Sequence, residues 1–73
     1  MDELLLNDYL ATIKLLRRYI AKVRPQSFSA VYPLFEKQRT KCQLSNIDIS
    51  NIDVSDIQSY GKKENIERFS FNY

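Results

Sequence analysis

The chain contains no histidine, one glycine, one cysteine and no long apolar run in its 73 residues. Each shortage removes a class of function. Without histidine there is no Ser-His or Cys-His pair and no imidazole metal ligand. With Gly61 as the single glycine there is no phosphate-cradling loop and no dinucleotide fingerprint. Cys42 alone allows neither an internal disulfide nor a cysteine zinc cluster. No apolar stretch approaches the roughly 18 residues of a membrane span. The acidic start of the chain argues against a signal peptide, and a lone thiol fits a cytoplasmic or other reducing compartment.

What is present is led by a helical pattern over Asp2–Arg24. Leu6, Tyr9, Ile13, Leu16, Ile20 and Val23 follow at alternating steps of three and four, which places them on one stripe of an α-helix. Leu5, Leu10 and Tyr19 widen the stripe beyond a coiled-coil seam, so it favours packing within the chain over self-pairing. Ile13 and Leu16, at mid-helix, are the expected core. Leu4 and Leu15 fall off the stripe, as stray exposed leucines or as a second contact surface. Acids at the start and bases at the end suit the helix dipole, and Pro25 closes the element.

A second, shorter helix is expected to start between Ser29 and Pro33, with Pro33 in its first turn, and to run to Gln43. A short turn then folds the two helices into an antiparallel hairpin, with Phe28, Tyr32 and Phe35 against Tyr19, Ile20 and Val23.

From Leu44 the character changes. Residues 45–59 read SNIDI, SNIDV and SDIQS. Ile47–Ile49 and Ile52–Val54 fit two hairpin strands, while the serines and aspartates also fit turns that start short helical pieces. Ser55–Tyr60, stopped by Gly61 as a C-terminal cap, is the strongest of those pieces. The order Ser-Asn/Asp-Ile in Ser45–Ile47, Ser50–Ile52 and Ser55–Ile57 resembles the units of pentapeptide-repeat proteins. Asp48–Ser55 is similar to a stretch of the BspA-type leucine-rich repeat. Both likenesses are short, and neither implies a function here. Residues 67–73 alternate Phe69, Phe71 and Tyr73 with polar residues, the period of a half-buried strand. The expected fold is therefore one small α+β domain over residues 1–73. It comprises a helical part at 2–43 and a small β or turn part at 44–73, with a mostly α chain as the alternative.

Net charge is +2, unevenly placed. Residues 9–47 carry eight cations against Glu36, and residues 48–57 carry only Asp48, Asp53 and Asp56. Those aspartates lack the alternating ligands and sharp glycine turn of a calcium loop, so they read as turn caps. Cys42, near Arg39 and Lys41, reads as a semi-buried thiol rather than a nucleophile. The chain is expected to be no enzyme, to need no cofactor or metal, and to act on no small-molecule substrate. Two functions remain. One is a small interaction module, such as a regulator, adaptor, inhibitor or complex subunit, that binds a protein partner or itself. The other is nucleic-acid binding through the basic 14–41 region. Candidate contact residues are Leu15, Arg17, Arg18, Lys22, Arg24, Lys37, Arg39, Lys41, Phe69, Phe71 and Tyr73.

Overall fold

A computed structural model describes residues 2–62. Helix α1 spans Asp2–Ala21 and α2 spans Pro25–Leu44. A third helix, α3, covers residues 55–62. No strand occurs among the described residues. The expected β element is thus not formed at 47–54, and the mostly α alternative fits the described residues; residues 67–73 lie outside them.

The helices α1 and α2 form the antiparallel hairpin, and its core follows the periodicity of α1. Tyr9, Ile13 and Leu16 are buried, with Leu6 and Ile20 half-buried beside them. Val23, expected on the same stripe, is 75% exposed because α1 stops at Ala21. The stop is a Schellman motif. The Arg24 N–H donates to the Tyr19 carbonyl at 2.9 Å and the Val23 N–H to the Ile20 carbonyl at 3.2 Å. That closure needs a left-handed residue at its centre, and Val23 takes it with φ 52. The end of α2 repeats the device. Ile47 N–H donates to Cys42 C=O at 2.9 Å, Asn46 N–H to Gln43 C=O at 3.1 Å, and Asn46 has φ 60.

Helix α2 is as long as α1, 20 residues each, rather than shorter. Pro25, not Pro33, occupies its first turn, where the missing N–H is not needed. Pro33 lies inside the helix and on its exposed side. An interior proline costs about 3 kcal/mol or more in a lone helix. Here it is offset by burial of Phe28, Tyr32 and Phe35, which bracket it on the inner face. Burying each such ring contributes on the order of 2–3 kcal/mol.

An aromatic ladder joins the three helices. Ring centroids lie 5.5 Å apart for Tyr9–Phe35, 5.5 Å for Phe35–Tyr32, 5.4 Å for Tyr32–Phe28 and 4.7 Å for Phe28–Tyr60. Phe35 therefore meets Tyr9 in the first half of α1, not the expected Tyr19, Ile20 and Val23. Gly61 is not the stop of α3 but a residue within it, with no positive φ. Its role is clearance: a Cβ there would sit 2.6 Å from two carbons of the Tyr32 ring.

Candidate functional site: a groove beside the Asn-Ile-Asp repeat

The segment between α2 and α3 explains the repeat. Asp48 Oδ1 accepts from the Ser50 N–H at 3.0 Å and the Ser50 hydroxyl at 2.6 Å. Asp53 Oδ1 accepts from the Ser55 N–H at 3.0 Å and the Ser55 hydroxyl at 2.8 Å. Each Asp-x-Ser unit is thus a side-chain-closed turn. The first leads into a single turn, in which the Ile52 N–H donates to the Ile49 carbonyl at 3.1 Å. The second launches α3. These bonds hold both carboxyls below the usual aspartate range. For Asp48 the Ser50 hydroxyl contributes most, and for Asp53 the Ser55 N–H.

The turns lay Ile47, Ile49 and Ile52 half-buried against the core, while Val54 and Ile57 enter it. Residues 46–55 and 58 form one wall of a groove of about 730 Å³, and Tyr9, Arg39 and Gln43 form the other. The hairpin brings those three together. The Cys42 thiol reaches the Leu5 carbonyl at 3.8 Å, which pairs the start of α1 with the end of α2. The same open end carries Leu4 and Leu44, 66% and 78% exposed. Burial pushes the Tyr9 hydroxyl pKa up, against the pull of the Arg39 guanidinium, so the phenol stays protonated at neutral pH and can donate.

The candidate contact residues are scattered over the hairpin. Arg17 is bound within the chain: its Nε donates to Asp56 Oδ2 at 3.1 Å and a terminal nitrogen donates to the Asp53 carbonyl at 2.7 Å. Both side chains of this pair are about half exposed, so it is worth about 0–1 kcal/mol and mainly fixes where α3 starts. Arg18, Lys22 and Arg24 are exposed at the turn end of the hairpin. Lys37 and Lys41 are exposed, and Arg39 half-buried, toward the open end. At 1.5 Å per residue along α2, Arg24 and Arg39 stand roughly 20 Å apart. Lys14, also exposed, lies at mid-α1 between these two ends. Leu15 is half-buried on α1. Phe69, Phe71 and Tyr73 lie outside the described residues.

Cys42 is more deeply buried than the sequence suggested, and burial pushes its thiol pKa up rather than the nearby cations lowering it. Asp48 and Asp53 act as turn caps. Among the described residues no three His, Cys, Asp or Glu side chains gather as metal ligands would. No described helix is long and apolar enough to cross a membrane. Charge alone puts Arg39 among the candidates. Tyr9 stands out in the sequence as a member of the inner stripe and as an aromatic at the edge of the basic middle, and Gln43 and the repeat isoleucines carry no signal as contacts. The repeated Asp-x-Ser spacing was the signal that could have found this wall. No family model, curated protein or solved structure matches the chain.

Proposed function

We propose that the protein is a small non-enzymatic interaction module that receives a segment of a protein partner in the groove between Tyr9, Arg39 and Gln43 and the Asn-Ile-Asp repeat. The observation that supports this reading is the groove itself. Its apolar row, Ile47, Ile49 and Ile52, is only half-buried, and the backbone beside it belongs to no helix or strand among the described residues. Apolar contacts with main-chain donors and acceptors alongside suit an extended peptide. Arg39, half-buried in the groove wall, adds a polar anchor of the kind that concentrates binding energy. A lowered aspartate pKa and a raised thiol pKa make Asp48, Asp53 and Cys42 poor acid–base or nucleophilic groups at neutral pH.

A photoreactive benzoylphenylalanine at Ile49, activated in the host cells and followed by nuclease treatment, tests the proposal. A discrete protein adduct is expected from Ile49. It should weaken with Arg39→Glu and be absent from a control probe at Lys37 on the far face of α2. Adducts that are equal at both positions, or that vanish with nuclease, would refute it.

A further inference from the structure

Helix α1 carries a second stripe on the side away from its core seam. Leu4, Asp8, Ala11, Leu15, Arg18 and Lys22 follow at steps of four, three, four, three and four. At 100° per residue they share an arc of about 80°, opposite Tyr9, Ile13 and Leu16. All are exposed except Leu15, which is half-buried, and neither Asp8 nor Arg18 joins an ion pair among the described residues. Lys22 still belongs to the stripe, since its N–H donates to the Arg18 carbonyl at 3.0 Å in helical register.

We infer that this stripe pairs with the same stripe of a second copy of the chain, the two α1 helices running antiparallel about a dyad level with Ile13. The sequence of the stripe decides both the occupant and the direction. In that register Asp8 faces Arg18 of the second copy, Ala11 faces Leu15, and Leu4 faces the aliphatic stem of Lys22. Each contact occurs twice, as an isologous interface requires. Small meets large at the centre, and acid meets base on either side. A parallel pair would instead set Asp8 on Asp8, Arg18 on Arg18 and Lys22 on Lys22. The Lys14 side chains flank the dyad on one edge and oppose pairing; two Asp8–Arg18 contacts act against that single repulsion. The stripe is narrow, so the dimer is weak and sensitive to salt. It leaves the groove outside the interface and doubles it, giving two partner sites per assembly.

Sedimentation equilibrium on the whole chain at low salt tests this inference. The weight-average mass should rise from monomer toward dimer with concentration. Asp8→Arg and Arg18→Asp should each weaken the dimer by at least about tenfold, because each sets like charges together. A one-to-one mixture of these two variants should recover the association, since every mixed dimer restores both opposite-charge contacts. Recovery in the mixture also excludes unfolding as the cause of the single losses. Leu15→Glu should abolish dimerisation with helical content unchanged. A chain that stays monomeric up to ~1 mM, the weakest Kd of interest, or a dimer indifferent to all three substitutions, would overturn the inference. Neither outcome bears on the Ile49 cross-link, which tests the groove separately.

Discussion

Replacing Val23 by glycine should stabilise the protein, although it removes a side chain and shortens no loop. Val23 sits at the centre of the Schellman closure of α1 with φ 52. There an L-residue crowds its Cβ against the carbonyl oxygen, at about 1–2 kcal/mol, and β-branching places valine at the upper end. Three-quarters of the side chain is in solvent, so deletion forfeits little burial. Against the relief stands the greater freedom of glycine in the unfolded chain, about 0.5–1 kcal/mol. The balance is a gain of about 1 kcal/mol, or about 4–8 °C in thermal midpoint for a domain of this size. Asn46 supplies an internal control. It occupies the same position at the end of α2 with φ 60, and asparagine tolerates that region far better. Asn46→Gly should therefore move the midpoint by only a degree or two, by the same scaling. Urea unfolding of the two variants in parallel reads the difference. Equal effects at the two sites, or a loss at Val23→Gly, would show that backbone strain is not what separates them.

Three further outcomes follow from the packing and the turns. Leu16→Ala, at a fully buried site facing α2, should cost about 2–5 kcal/mol by denaturant titration; an unchanged midpoint would remove the inner stripe from the core. Gly61→Ala should destabilise by about 1–3 kcal/mol, despite the better helix propensity of alanine, because the added methyl meets the buried Tyr32 ring. Combining it with Tyr32→Leu should reduce that penalty, and an additive double variant would exclude the clash. Asp48 and Asp53 have pKa values below those of the unfolded chain. The unfolded state therefore binds more protons in acid, and their contribution is complete above about pH 4 and fades as pH falls through the folded values. Thermal midpoints measured down to about pH 2 should fall less steeply for Asp48→Asn with Asp53→Asn than for the parent, and parallel curves would contradict the turn bonds.

Helix α1 was legible because one face of it carries the core, and a 3.6-residue period records one buried face directly. Its end was not, because the motif that stops it usually announces itself with glycine. Here valine fills the position, so Pro25 was the nearest visible boundary. Pro33 misled in the opposite sense. Local propensity reads it as a helix start, whereas the inner aromatic face, which belongs to tertiary packing, carries α2 straight past it. The isoleucines of the repeat alternate as strand residues do, yet the alternation arises from Asp-closed turns that reset the chain direction every five residues. The groove could not be read from spacing at all. Tyr9, Arg39 and Ile49 are far apart in sequence and meet only once the hairpin and the returning loop are both in place. The outer stripe of α1 shows in the sequence only as two misplaced leucines; the helix ends and the exposures of its members define it as a face.

The Cys42 thiol is sealed under the first turns of α1, with the Leu5 carbonyl as its neighbour, and it is the only thiol in the chain. That makes it a clock. A bulky thiol reagent can mark a molecule only after the start of α1 lifts away from the end of α2, and each molecule can be marked once. With reagent in excess, the labelling rate counts openings of that end. Its ratio to the global unfolding rate tells whether the hairpin unzips from its open end or lets go all at once. The groove wall of Tyr9, Arg39 and Gln43 spans the same two helix segments, so the clock also times how often the partner site comes apart.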